Sequence, residues 1–571
     1  MTQSSTSPPT TPTSPPPEMK EIDNTAPDQP SISIGSATEA SSVADAPSVQ
    51  MFHKPPPREF FLIMLALALS VFLASLDQLI VSTSIPAITK EFQALGDISW
   101  LGTAYMMTTT ASQPLYGKFS DIFGRKTTML FANVMFLVGS VISGWATSMT
   151  MLIVGRGVSG IGAGGLMAMV FIIISDMLDM RERGKYVGFI GAMFSFSSVR
   201  FWVVLSLTMP PGAGLSGSTF LHIGGISTIF VAIYLNLPTP KGSLADKIKR
   251  IDFLGTLILL AAVVLVLLPL SWGGTKYAWS SGIIIGLLCA AAVSVVLFIL
   301  VEWRVAREPI VPIHLFRIRN LWATYGSLFF GGMAFFGIFF YLPVYFQVVK
   351  GESATVGGLE TIPFVFGILF TSIGSGLWTM KKGTFAFFPA LGFSVLLVGS
   401  GLGILFVQDT KRVFTIFVLL ICGLGMGFTM QASTLAVQVA VKPKYMATVT
   451  ATVQFVRSLG QVFGIAIVGT IFNNKLAEKL KAQFPDDPRI MIVAQDYVKI
   501  EDYDAEGRYW IYDCFVGSLH YVFYCAVAVV GMAFISALFI QHKELKTNAN
   551  QAAASEDANG PAKPSMAIEM V

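Results

Sequence analysis

The chain has 571 residues, of which 53% are hydrophobic and 13% charged, about half the charged share of an ordinary soluble domain. A water-soluble fold cannot hide that much apolar surface. The formal net charge of +4 gives no reason to invoke a nucleic-acid partner.

In chain order, residues 1–57 are rich in Pro, Ser and Thr without apolar periodicity, so they are expected to form a disordered tail. No cleavable signal peptide is expected, because the first apolar run lies far from Met1 and more runs follow it. Fourteen runs then approach the roughly 20 apolar residues that a helix needs to cross a bilayer core of about 30 Å. They begin near Phe60, Ile98, Thr127, Met149, Tyr186, Ile223, Phe253, Ser281, Leu321, Gly357, Phe385, Val413, Tyr445 and Phe515. The predicted class is an all-α polytopic membrane protein, with the lipid bilayer as its surroundings. A long loop is predicted over about 473–513, and a polar tail over 542–571. The four cysteines show no metal-ligand spacing and no disulfide pattern, and none is given a role.

Short cytoplasmic loops collect Lys and Arg. With the N-terminus in the cytoplasm, the loops on that side hold eighteen such residues, among them Lys118, Arg125, Arg181, Lys247 and Arg307. The opposite loops hold five: Lys90, Lys276, Lys350, Lys411 and Arg412. Both termini are therefore expected in the cytoplasm, with 473–513 on the far side. The plasma membrane is the expected location, and a vacuolar or other internal membrane is the alternative.

An ionisable group at membrane depth is costly unless it meets a cavity or a partner, so the few that occur are candidates for function. Asp77, in the first run, either exchanges a proton or meets a cation in a wet cavity, or it caps a helix end near the interface. Arg156, in the fourth run, either tunes a neighbouring carboxylate or serves as a structural ion pair or carbonyl clamp. Arg457, in the thirteenth, is a further candidate. Gln113, Gln431, Gln438 and Gln461 line a prospective substrate cavity or make hydrogen bonds between helices.

The stretch Arg156-Gly157-Val158-Ser159-Gly160-Ile161-Gly162-Ala163-Gly164-Gly165 follows no predicted strand, which argues against a phosphate loop. Gly157, Gly160, Gly162 and Gly164 are instead expected to allow close helix crossings. The loop Gly117-Lys118-Phe119-Ser120-Asp121-Ile122-Phe123-Gly124-Arg125-Lys126 places an acid and two bases where they can pair with each other and with helix ends.

That loop resembles the Gly-x-x-x-Asp-x-x-Gly-Arg-Arg/Lys signature of the major facilitator superfamily, and the glycine stretch resembles its second motif. Leu76-Asp77 through Pro86 is similar to the first-helix motif of the fourteen-helix drug:proton antiporters. Tyr341 to Gln347 with Gly351, Ser353 and Ala354, and Gly423 to Gly427 with Gln431 and Gln438, are similar to the same branch. The resemblance runs from about Arg58 through the last helix and looks closest to fungal toxin and multidrug efflux pumps.

The resemblance implies a six-helix bundle over 58–239, two additional central helices over 240–302, a second six-helix bundle over 303–541, and alternating access around a central cavity. It implies proton coupling through Asp77 and Arg156, and a conformational lock made by Gly117, Asp121, Gly124, Arg125 and Lys126 with Asp176. A small amphipathic organic compound (toxin, secondary metabolite or drug) would leave in exchange for protons. The proton gradient would be the driving force, with no cofactor and no metal, and the chain would act as a monomer. Proton-linked uptake of an iron chelate, a sugar or a basic amino acid is the alternative within transport, and a receptor or scaffold is the alternative outside it. An enzyme is not expected, since no nucleophile-base pair, metal cluster or phosphate loop stands out.

One stretch departs from the pattern. Val199 to His222 lacks the Gly-Pro-x-x-Gly-Gly and Trp-Arg-Trp expected there, while both flanks fit. Ambiguous codons for these residues, read two nucleotides later, permit Leu-Gly-Gly-x-x-Thr-Asp-His-Ala-Ser-Trp-Arg-Trp-x-x-x-Ile-Asn-Leu-Pro. Our hypothesis is that the segment is frame-shifted, and an uninterrupted transcript encoding it as written would refute this. As written, it puts Arg200 at depth, ends the fifth helix at Pro210-Pro211, and weakens the packing expected between helices five and eight.

Overall fold

A computed structural model of the chain describes residues 56–92, 98–180, 182–191, 217–274, 276–487, 490–493, 500, 502–543 and 545. The expected tails fall almost wholly outside these described residues, as do residues 199–216 of the anomalous stretch; 217–222 are helical.

The helices are α1 (Pro57–Phe92), α2 (Ile98–Phe123), α3 (Arg125–Gly144), α4 (Met149–Met177), α5 (182–191), α6 (Gly217–Tyr234), α7 (Leu244–Lys249), α8 (Phe253–Trp272) and α9 (Gly282–Arg304). They continue with α10 (Arg319–Val344), α11 (Ala354–Glu360), α12 (Ile362–Lys382), α13 (Phe387–Gly403), α14 (Arg412–Ala440), α15 (Met446–Gln483), α16 (Ile490–Val493) and α17 (Ala505–Leu538). Each of the fourteen apolar runs is helical in the described residues. Among the described residues, ten helices are long and apolar enough to cross a membrane, and α13 and part of α6 are shorter apolar helices. The all-α polytopic class is as expected.

Polar side chains start several of these helices, each accepting a hydrogen bond from a backbone N–H that has no partner within the helix. Ser148 accepts from Met151 N at 3.2 Å, Asp252 from Gly255 N at 2.8 Å, and Asp504 from Gly507 N at 3.0 Å. Pro343 cannot donate to the helical ladder, and the chain passes from α10 into a π-helical turn at Tyr345–Val349.

The packing repeats. In the first bundle α1 pairs with α6, α2 with α4, α3 with α4 and α3 with α6. In the second, α10 pairs with α17, α12 with α14, α13 with α14 and α13 with α17. Each bundle has its own apolar core, around Leu67, Phe136 and Ile172 in one and around Phe393, Phe472 and Phe515 in the other. The inserted helices α8 and α9 pack on each other; α8 also touches α2 and α15, whereas α9 is apolar and exposed along most of its length. Such a surface belongs in lipid.

The long loop predicted over 473–513 is corrected. Helix α15 continues to Gln483, α17 begins at Ala505, and the described residues between them include the short helix α16. The extension carries Leu476 and Leu480 one turn apart, both buried against the second core, and a Lys475–Glu478 pair at 2.7 Å on its outer side. At about 1.5 Å per residue, a helix of 38 residues far exceeds the bilayer core. The charges that looked like loop therefore coat an amphipathic extension.

The partner of α5 also differs from the expected helix eight. Gly184 and Gly188 lie so close to Gly376 and Ser372 of α12 that an added Cβ would press on backbone there. The tenth run thus takes that place, because α8 and α9 shift the count by two.

Candidate functional site

A cavity with about 1060 Å³ of empty space, its open mouth included, lies where the two bundles face each other. The first bundle supplies Val71, Gln78, Tyr105, Thr109, Gln113, Met167, Phe171 and Ile190 to its wall. The second supplies Leu328, Phe335, Phe393, Met426, Thr429 and Met430, with Gln454, Arg457, Ser458 and Gln461. Those last four stand at helical spacing i, i+3, i+4 and i+7, which puts them on one face of α15. Gly460 and Gly464 on a neighbouring face lie directly against the α10 backbone at Phe329 and Met333, so the crossing fixes the rotation of α15 and turns its polar stripe to the cavity. Arg457 Nη1 donates to Gln454 Oε1 at 3.1 Å. Arg457 Nη2 and Gln113 Oε1 are buried and have no hydrogen-bond partner among the described residues.

Asp77 and Arg156 come together, as their pairing at membrane depth requires. Arg156 Nη1 lies 2.6 Å from Asp77 Oδ2, and the two residues are only 4% and 6% exposed. The guanidinium also reaches the Leu101 carbonyl at 3.4 Å and lies 4.3 Å over the Tyr105 ring. The Tyr105 hydroxyl donates to the Ala74 carbonyl at 3.0 Å. Neither charged residue lines the cavity; Tyr105 and Gln78 do. The pair is sealed one side chain behind the wall.

The end of the molecule that carries the loop 117–126 holds a second set of charges. Arg125 donates from Nε to Asp176 at 2.6 Å, and from Nη1 to Asp121 at 2.7 Å and Ser120 at 2.9 Å, tying together the ends of α2, α3 and α4. Gly124, which starts α3, has φ +95°, a conformation that glycine adopts at no steric cost. Lys126 reaches Asn236 at 3.1 Å. All of these bonds lie within the first bundle. The two bundles meet beside them: an added Cβ on Gly117 would stand 2.8 Å from Ala451 Cβ and 3.1 Å from the Ala447 carbonyl of α15. Arg183, just inside α5, donates to Gln438 of α14 at 3.2 Å, and Gln438 donates to Thr450 at 3.0 Å. Here the cavity is closed.

Outside the membrane spans, Glu308 accepts from Lys118 at 2.8 Å and from Arg250 at 2.8 and 3.3 Å, which ties the α8–α9 pair to the end of α2. Burial would raise the Glu308 carboxyl, but the hydrogen bonds and charges of Arg250 and Lys118 outweigh it and hold the group down at about 2.

The sequence profile of the Major Facilitator Superfamily matches residues 67–205 and 272–465. The chain belongs to that superfamily. It is 34% identical over 422 residues to the efflux pump dotC of Dothistroma septosporum, covering 73% of this chain and 72% of that protein. It is 31% identical over 511 residues to the aspyridones efflux protein of Neocamarosporium betae, covering 86% and 89%. A rubrofusarin-specific efflux pump, aurT of Gibberella zeae, is 34% identical over 429 residues, covering 73% and 77%. The fold is similar to that of the proton:xylose symporter XylE, with a TM-score of 0.53 at 15% identity, over 86% of this chain and 98% of that one.

This major facilitator chain is thus a membrane transporter and not an enzyme, and its relatives are fungal efflux pumps. Of the expected cavity residues, Gln113, Arg457 and Gln461 line the wall, whereas Gln431 and Gln438 do not. Gln431 lies against Gly184, Gly188 and Gly376 at the seam between α5 and α12, and Gln438 is held by Arg183 and Thr450 at the closed end. Both sit on α14 below the cavity, where that helix has turned its polar face to the opposing bundle. Of the four glycines expected to pack, Gly160, Gly162 and Gly164 abut the backbone of α2 or α3. Gly157 does not, since a Cβ there would meet only a Thr108 methyl at 3.9 Å. Gln78, Tyr105, Thr109, Gln454 and Ser458 were not singled out from the sequence. The i, i+3, i+4, i+7 spacing around Arg457 is the signal that could have found the last two.

Proposed function

We propose that this transporter exports a small amphipathic organic compound (a toxin, secondary metabolite or drug) from the cytoplasm in exchange for protons. The observation that carries the reading is the cavity itself. It is walled mainly by Phe, Met and aliphatic side chains, with a polar stripe on α15 and the polar groups of Gln78, Tyr105, Thr109, Gln113 and Thr429 set among them, and it is closed at the end bearing the basic loop. A mainly apolar wall with polar groups set into it suits an amphipathic guest. A sugar would gain little from the Phe, Met and aliphatic part of that wall, and a basic amino acid would meet Arg457 unfavourably. The names of the three relatives given above, each an efflux pump or efflux protein, support the same direction.

In this reading the closed end faces the cytoplasm, both termini lie there, and the chain works as a monomer in the plasma membrane without a cofactor. Asp77 carries the proton. Tyr105, which lines the cavity and also neighbours the Asp77 carboxylate, is the group through which water reaches the pair, and protonation of Asp77 releases Arg156. Asp121, Arg125 and Asp176 brace the ends of the first bundle, so that Gly117 closes on α15 as part of a rigid body.

The test is transport by the full chain in proteoliposomes under an imposed pH gradient. A panel of fluorescent aromatic compounds (neutral, acidic and basic) should include at least one whose movement stops when the gradient is collapsed. If none moves, the reading is wrong.

A further inference from the structure

Arg457 is the one cavity residue whose charge lacks a counter-ion among the described residues. It is 9% exposed, and no carboxylate stands within salt-bridge distance of it. A carboxamide oxygen, Gln454 Oε1, takes Nη1, and Nη2 has no acceptor. Holding a guanidinium at membrane depth in that state costs several kcal/mol unless something outside the chain pairs with it. Its surroundings point to what that is. Ser458 and Gln461 stand on the same face of α15 and offer further donors, while Phe171, Phe335 and Phe393 add apolar wall to the same cavity. The remaining deep charges, Asp77 and Arg156, neutralise each other behind Tyr105 and leave Arg457 as the net charge beside the cavity.

We propose that Arg457 is an anion-binding residue of the substrate site, and that the compounds carried are aromatic acids. Their carboxylate or equally acidic oxygen pairs with the free Nη2 while the ring system lies against the phenylalanines. The proposal rests on the transport reading above and names its substrate class. A neutral guest leaves Nη2 without a strong acceptor, and a cationic guest adds a second positive charge to a site of low dielectric constant. Only an anion satisfies the arginine and lets the apolar wall contribute as well.

Three probes with the same ring separate these cases: anthracene-9-carboxylate, anthracene-9-carboxamide and 9-(aminomethyl)anthracene. Binding is measured by tryptophan fluorescence on the full chain in lipid nanodiscs at neutral pH. The carboxylate is expected to bind about tenfold or more tightly than the carboxamide, the gain of a charge-assisted hydrogen bond, and the amine most weakly. Arg457→Gln should reduce the acid-to-amide ratio to about one, and Arg457→Lys should keep part of the preference. The thermal midpoint of Arg457→Gln without ligand should equal or exceed that of the original chain, because an unpaired charge has been removed. Equal binding of acid and amide overturns the proposal, as does a preference that survives Arg457→Gln, failure of the carboxylate to bind, or a clear fall in the Arg457→Gln midpoint. The transport panel keeps the two readings apart: gradient-driven movement of the carboxamide with no preference for the acid removes only this inference, whereas no movement of any probe removes the transport reading.

Discussion

Arg156 and Arg457 lie at similar burial in the two bundles, yet the chain treats them in opposite ways. Arg156 has a carboxylate at 2.6 Å, a carbonyl and an aromatic face, all from its own bundle. Arg457, a residue of the cavity wall, has one amide oxygen on Nη1 and a buried Nη2 with no partner among the described residues. The first arrangement is complete without a guest. The second lacks an acceptor among the described residues. In the proposed reading, the contrast separates the part that would respond to a proton gradient from the part that would read the cargo.

The sharpest way to break the contrast is Asp77→Asn, which makes Arg156 resemble Arg457 without giving it a cavity to face. Removing one partner of a buried pair costs about 3–5 kcal/mol. The variant should therefore lose folded yield and thermal midpoint in detergent, while Asp77→Asn with Arg156→Gln should regain most of the loss. Both forms should lose transport driven by a pH gradient. Full gradient-driven activity in Asp77→Asn would remove Asp77 from the coupling role, whatever its effect on stability.

A smaller effect is expected of Arg125→Gln. Its partners Asp121 and Asp176 are part-exposed, with side chains 24% and 13% accessible, so water can take over part of what the guanidinium did. About 2 kcal/mol is the scale for lost hydrogen bonds to charged groups. The variant should fold and bind probes like the original chain, yet transport more slowly, because the ends of α2, α3 and α4 no longer move as one piece. Unchanged transport alongside a lowered midpoint would make the brace structural only.

How much of the molecule is legible in its sequence depends on the distance over which the responsible forces act. Apolar run length is a local property with one dominant cause, the lack of water in the bilayer, and the runs did become helices. Within the Arg125 cluster, Asp121 was legible because it is close in sequence and sits at a helix end, whereas Asp176, 51 residues away, entered only through the family resemblance. That Arg156 would meet a carboxylate was one of two readings of its charge at depth; only the family resemblance set it beside Asp77, and the structure supplies the contact. Helix rotation was not legible. Gln431 and Gln438 are as polar as Gln454 and Gln461, yet only the latter two reach the cavity, because crossings at Gly460 and Gly464 set how α15 is turned. The extension of α15 was misread for a related reason. Leu476 and Leu480 are four residues apart among charges, and only the second core beneath them makes that spacing a helix.

The smallest effect belongs to the most exposed cluster, and its pH dependence tells whether it belongs to the same series. Glu308 is about a third accessible and Arg250 more so, and exposed pairs contribute about 0.2–1 kcal/mol. Glu308→Gln should thus lower the midpoint only slightly, and high salt should erase the difference. The sign with pH is set by the held-down carboxyl. Its folded value of about 2 lies below the usual range near 4.3, so its stabilising contribution is complete above about 4.3 and fades as pH falls through about 2. The gap between Glu308→Gln and the original chain should accordingly stay constant from pH 7 to about 5 and close at lower pH, if midpoints are followed by the same fluorescence assay. A gap that closes already near pH 6 would mean that another group controls the junction between the inserted helices and α2. The ranking of these ion pairs by burial alone would then fail at its exposed end.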